Sequence, residues 1–196
     1  MKNKIKNLVS FFYEIGTLRR ILRAHQQTLF LRDESDNISS HSFRTALIGY
    51  FLAKELKADT DKVIKMCLLH DIEETRSGDQ NWVNKRYIKV FEEEIREEQL
   101  KNLPNSKELL ALSKEYQERK TLEAKIAKDA DLLDQILLLR EYEFQGCKEA
   151  IGWLKKKRES QQEKLMFTKL AKELAKEIKK QKPSIWWKNL WTPKRR

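Results

Sequence analysis

Between His70 and Asp79 the chain reads His-Asp-Ile-Glu-Glu-Thr-Arg-Ser-Gly-Asp. Those residues gather one imidazole, the carboxylates of Asp71, Glu74 and Asp79, and a glycine. Nitrogen and oxygen donors of this kind suit hard or borderline divalent cations. A cation so held lowers the pKa of its water and polarises a phosphoryl oxygen. The chemistry suggested is therefore hydrolytic. His70 and Glu74 stand four apart and share a face if helical. Gly78 then breaks the helix and leaves Asp79 at a turn. A lone His-Asp pair is more often a surface pair or a cap, so the reading needs ligands from elsewhere in the chain.

Two positions supply them. His41 falls in the first turn of a helical pattern, where the dipole disfavours the imidazolium and keeps the ring neutral. Asp131 lies between Ala130 and the apolar pair Leu132-Leu133. A carboxylate entering a buried region must be paired or bound to a cation; the alternative is an exposed place on a charged helix. Asp129 competes with it, because residues two apart diverge by about 200° and cannot share a face. His41, His70, Asp71 and Asp131 make an N/O set that leaves positions for water and substrate, as a catalytic site requires. Glu74 could position that water or protonate a leaving oxygen. Asp79 could hold a substrate hydroxyl, and Arg76 and Lys128 are candidate phosphate contacts. His25 lies on an amphipathic pattern, where histidine is generally packed or solvated.

The elements that must place these residues read as helices. Apolar spacing predicts helices over 4–30, with Gly16 a break point, over about 40–55, and from Thr60, as its cap, to about Glu74. Val63, Ile64, Met66, Cys67, Leu68 and Leu69 form the apolar run that delivers His70 and Asp71 at its end. Further helices are predicted over 82–101, with Trp82, Tyr87 and Phe91 on the apolar face, over 106–119, over 121–146, and as one long helix over 150–180. The fold class is all-α. With 36% charged residues, five glycines and three prolines, long polar-faced helices are expected and little sheet.

The 196 residues carry a net charge of +11, and it is unevenly placed. Residues 148–196 hold 16 Lys/Arg against 5 Asp/Glu, so residues 1–147 are neutral overall. One domain is expected over 1–181, its metal-site core at about 30–145, followed by a basic aromatic tail over 182–196. In that tail Trp186, Trp187 and Trp191 alternate with Lys188, Lys194, Arg195 and Arg196. They could fold back onto the domain or across a dimer, lie at an anionic membrane, or contact nucleic acid. Cys67 and Cys147 have no metal or redox spacing and read as reduced thiols. No apolar run approaches a membrane span, and the basic start lacks the length of a signal peptide. A cytoplasmic protein is expected.

The order His, His-Asp, Asp resembles the HD-domain superfamily of metal-dependent phosphohydrolases. The string His70-Asp71-x-x-Glu74-x-x-x-Gly78-Asp79, preceded by Asn37-Ile38-Ser39-Ser40-His41-Ser42 and followed by Lys128-Asp129-Ala130-Asp131, is similar to the branch containing bacterial 5'-deoxynucleotidases. The likeness runs from about residue 15 to 145. It implies a helical HD-type bundle, generally a homodimer. It also implies one divalent ion (Mn, Co or Mg) held by the residues matching His41, His70, Asp71 and Asp131, the last matched through Ala130-Asp131-Leu132-Leu133. Glu74 matches the catalytic acid, and Asp79 a residue near the sugar. The implied reaction takes a nucleoside 5'-monophosphate to nucleoside and phosphate. Two departures stand out. Ser40 replaces an acidic residue before the first histidine, and Arg23-Ala24 lacks the tryptophan of an upstream Arg-Trp pair. Hydrolysis of a phosphodiester or signalling nucleotide on the same site is the alternative within enzymes. An inactive scaffold or a nucleic-acid-binding protein is the alternative outside them.

Overall fold

The computed structural model describes residues 2–155, 164–188 and 190. Among these no strand forms; a single bridge pairs Leu22 with Asn37. The elements run α1 (Lys2–Ile15), a 3-10 turn (Gly16–Arg20), α2 (Gln26–Leu29), α3 (Ile38–Glu55), α4 (Thr60–Leu69), α5 (Glu74–Ser77), a 3-10 turn (Asn84–Arg86), α6 (Glu92–Leu100), α7 (Ser106–Glu118), α8 (Leu122–Phe144), α9 (Lys148–Lys155), α10 (Lys169–Lys180) and a final 3-10 turn (Pro183–Trp187). No helix among the described residues is long and apolar enough to cross a membrane.

The centre of the bundle is α3, α4 and α8, packed mutually. Val63, Met66, Cys67, Ile126, Ala130 and Ile136 are wholly inaccessible there. Full burial of each of the larger side chains contributes about 1.5–3 kcal/mol. α3 and α4 approach closely because residue 49 is glycine. A Cβ at that position would stand 2.8 Å from Cys67 Sγ and 3.0 Å from Val63 Cγ1.

Side-chain caps fix where the central helices begin. Asn37 Oδ1 accepts from Ser40 N at 3.1 Å, and the Thr121 hydroxyl accepts from Ala124 N at 3.2 Å. Each satisfies an N–H that the first turn leaves without a partner. Asp59, rather than Thr60, caps α4, its Oδ1 accepting from Lys62 N at 3.1 Å.

Four expectations are corrected. The helix from Thr60 ends at Leu69 instead of Glu74. His70 Nδ1 bonds Cys67 O at 2.7 Å, close to the carbonyls that would carry the helix onward, and the chain tightens into i+3 turns such as Glu74 N to Asp71 O at 3.2 Å. The helix over 82–101 begins only at Glu92. Before it, Asn81 Oδ1 accepts from Val83 N at 2.9 Å and Asn84 N at 3.1 Å, a local bonding pattern that competes with helix. Its apolar face is not buried: Trp82, Tyr87, Ile88 and Phe91 are all exposed. The helix over 4–30 stops at Ile15, and the chain then turns and runs to the Leu22 bridge.

The fourth correction is the long helix over 150–180. Met166 and Phe167 are not helical, and Thr168 starts α10 by capping Ala171 N. Asp129 of α8 holds this break by accepting Phe167 N and Thr168 N at 2.8 Å each. In the tail, Trp186 and Trp187 meet edge to face at 4.9 Å and remain 68% and 49% exposed, while the turn that carries them packs against α8. Trp191, Lys194, Arg195 and Arg196 lie outside the described residues.

Candidate metal centre and its cleft

His41 comes from the first turn of α3, His70 and Asp71 from the turn after α4, and Asp131 from α8. Packing of those three helices brings the four side chains to one point. His41 Nε2 and His70 Nε2 are 3.1 Å apart. Asp71 Oδ2 lies 3.5 Å from His41 Nε2 and 3.1 Å from His70 Nε2. Asp131 Oδ1 lies 3.3 Å and 4.0 Å from the same two nitrogens. His41, His70 and Asp71 each offer a donor atom within 4.8 Å of the others.

The donor chemistry fits a divalent cation. His70 Nδ1 faces a carbonyl, Cys67 O, which can only accept. His41 Nδ1 faces Asp134 Oδ2 at 2.6 Å, and an ionised carboxylate also only accepts. Both Nδ1 atoms therefore carry a ring hydrogen, and both Nε2 atoms point into the cluster. Two neutral rings there would set their lone pairs against each other and against two carboxylates, an arrangement that positive charge between them, a metal ion or a proton on Nε2, relieves. Partners on the outer nitrogen that orient a ligating imidazole are usual at metal sites.

Electrostatics draw positive charge to the same place, and they correct the expectation that the helix dipole keeps His41 neutral. Burial would raise Asp71, but His70 and His41 hold it well below the ordinary carboxylate range. Burial likewise opposes ionisation of Asp131, and Lys128, then His41 and His70, outweigh it. Burial disfavours a charged His41, yet Asp131, Asp134 and Asp71 lift its pKa well above the usual imidazole value. The cluster thus favours positive charge at its centre.

His70, Asp71 and Asp131 edge a cleft of about 810 Å³ that also exposes Arg23, Glu74, Asp79, Lys128, Tyr116 and Arg119, with His41 buried behind them. Burial, with Asp71 and Asp79 nearby and Arg23 opposing, pushes the Glu74 carboxyl up to about 10. Its Oε2 is buried with no hydrogen-bond partner among the described residues. Asp79 follows Gly78, whose φ of +69° permits the turn. Asp79 Oδ2 accepts Ala24 N at 2.7 Å and stands 3.4 Å from Arg23 Nε. Lys128 Nζ bonds Asp131 Oδ2 at 2.6 Å.

Arg76 is not at the cleft. It sits on the opposite side of α5, with Nε 2.6 Å from Glu14 Oε1 and Nη1 2.7 Å from Glu98 Oε2. Asp129 is equally remote in role, its carboxylate fully engaged at the start of α10. His25 is buried against Asp36, at 2.8 Å.

One group escaped sequence reasoning. Asp134 is one helical turn beyond Asp131, and that spacing alone would have nominated it. Arg23, which the sequence marked only as the arginine of the upstream pair that lacks its tryptophan, borders the cleft next to the Leu22–Asn37 bridge. The charges of Asp79, Asp71 and Asp131 hold it there against its burial.

The HD-domain family pattern matches residues 15–186. The 5'-deoxynucleotidase HDDC2 of Dictyostelium discoideum is 30% identical over 158 residues, covering 72% of this chain and 80% of that protein. A conserved hypothetical protein from Pyrococcus furiosus superposes with a TM-score of 0.74 at 28% identity, covering 88% of this chain and 99% of its own. A predicted metal-dependent phosphohydrolase from Magnetospirillum magnetotacticum shares the fold with a TM-score of 0.69 at 24% identity, over 91% of this chain and 92% of its own. The chain belongs to the HD-domain family of metal-dependent phosphohydrolases.

Proposed function

We propose that the protein hydrolyses a nucleoside 5'-monophosphate to nucleoside and inorganic phosphate, with one divalent ion (Mn, Co or Mg) held by His41, His70, Asp71 and Asp131. The observation that carries this is the pair of Nε2 atoms, 3.1 Å apart and flanked by Asp71 and Asp131, beside the Glu74 carboxyl, whose pKa burial and its acidic neighbours push up to about 10. The bound ion supplies charge neutralisation at the phosphoryl oxygens and an acidified water.

The protein's own groups do the rest. Lys128 and Arg23 border the place where a phosphate would meet the cluster, and both present cations to it. Glu74, neutral in its buried setting, holds a proton that can pass to the leaving 5'-oxygen as the P–O bond breaks and a water oxygen bonds to phosphorus. Asp79 fixes the Arg23-Ala24 segment and offers an acceptor to a sugar hydroxyl. The name of the Dictyostelium relative supports this substrate class.

The test is phosphate release from ribo- and deoxyribonucleoside monophosphates with added Mn, Co or Mg and a chelator control. Chelator-sensitive release is expected. No release with any metal, from protein that holds metal, overturns the proposal. Pairing of two copies is part of the same reading. Phe43, Leu47 and Phe51 form an exposed apolar stripe along α3, and light scattering of the Phe43→Ser/Phe51→Ser variant tests whether it joins them.

A further inference from the structure

Arg119 stands on the wall of the cleft and takes no part in the hydrolysis described above. Its guanidinium carbon lies 3.4 Å from the centroid of the Tyr116 ring. Tyr116 in turn meets the His70 ring edge-on at 5.6 Å. A stacked arginine is held flat and keeps its in-plane N–H donors for a planar or tetrahedral anion. Arg119 Nη1 is buried and finds no hydrogen-bond partner among the described residues. Such an orphan donor is costly unless something binds it.

The backbone gives no reason for arginine here. Arg119 caps α7 in the left-handed region, at φ +54°, where glycine or asparagine is the ordinary choice. Lys85 and Lys89 lie exposed along the same cleft, and the exposed Trp82 borders it. Lys128 lines the cleft too but is bonded to Asp131. A full aromatic ring separates Arg119 from His70, so it addresses a different part of the substrate from the scissile group.

We infer that Arg119, stacked on Tyr116 and backed by Lys85 and Lys89, binds a second phosphate of the substrate. The preferred substrate then carries a phosphate beyond the one removed, as in a nucleoside 3',5'-bisphosphate or a 5'-phosphorylated dinucleotide. This rests on the nucleotidase reading above, and the two fail differently.

The experiment compares the nucleoside 5'-monophosphate, the 3',5'-bisphosphate and the 5'-phosphorylated dinucleotide as substrates of the metal-loaded protein. Arg119→Asn is the variant, because asparagine tolerates the left-handed backbone. The wild type should show a KM about tenfold lower for the doubly phosphorylated compounds, a difference of about 1.4 kcal/mol. Arg119→Asn should erase that preference and leave kcat/KM for the monophosphate within about twofold. Whichever doubly phosphorylated compound has the lower KM identifies the source of the second phosphate. Equal KM values in the wild type, or an equal loss on all three compounds in the variant, overturns the inference while monophosphate hydrolysis stands. If no compound is hydrolysed, the nucleotidase reading fails instead. Calorimetric binding of the bisphosphate to the wild type and to Arg119→Asn then decides the anion site: tenfold weaker binding in the variant supports it, and equal binding overturns it.

Discussion

Asp134 Oδ2 lies 2.6 Å from His41 Nδ1, and this contact decides that Nε2 is the nitrogen facing His70. Arg44 bonds the other Asp134 oxygen and Glu141 as well, at 2.7 Å for the latter, so the carboxylate is fixed from both sides. Loss of an outer partner of this kind typically weakens metal binding 10–100-fold. Asp134→Asn should therefore weaken manganese binding by about tenfold or more, measured by competition with a chelating dye, while the far-ultraviolet spectrum is retained. Unchanged affinity would leave Asp134 with no part in orienting His41.

The two aspartates of the Asp129-Ala130-Asp131 segment separate cleanly in variants. Asp129 receives two backbone N–H groups and the Thr168 hydroxyl. Asp129→Ala leaves those donors without their acceptor and should cost about 1–3 kcal/mol in chemical denaturation, with metal stoichiometry retained. Asp131→Asn should do the reverse, lowering metal content with a smaller change in stability. Metal lost in the first variant and kept in the second would exchange their roles.

Glu74→Gln removes the proton donor and leaves every proposed ligand in place. Turnover should fall about 10²–10⁴-fold, with metal content unchanged by elemental analysis. His70→Ala should instead abolish metal binding. Full metal stoichiometry in that variant would show a packing histidine.

Glu14 ties α1 to the bundle through Arg76, Gln99 and Thr75. Burial opposes its ionisation, but those partners, Arg76 and Gln99 first, hold its pKa below the unfolded value of 4.5. A lowered carboxyl pKa means stability present above 4.5 and lost as pH falls through the folded value. Wild type should melt above Glu14→Gln at pH 6, and the gap should close as pH falls through the folded-state value, below 4.5. A gap independent of pH would assign Glu14 a neutral hydrogen-bonding role alone.

The local pattern of residues determined a good deal. Apolar periodicity located α3 and α8 to within a few residues, since those helices bury a face along most of their length. His70, Asp71 and Glu74 were marked by type and spacing, and His41 and Asp131 by their place on neighbouring helices. Where local side-chain bonds compete with the helix, the pattern misled, as at Asn81 and Asn84 before α6; between 150 and 180 it misled because a distant carboxylate, Asp129, holds the break at Thr168.

Only the tertiary structure decided the rest. It turned Asp131 toward the imidazoles and Asp129 toward α10, and it sent Arg76 away to Glu14. It also placed Trp82 on a cleft rim instead of in a core, and brought Arg23, Asp134 and Arg119 to one site from separate elements. Periodicity reports which residues prefer to leave water, but which charged side chain meets which depends on helix orientation and on contacts between residues 29 to 93 apart in the chain. That information exists only once the helices are packed.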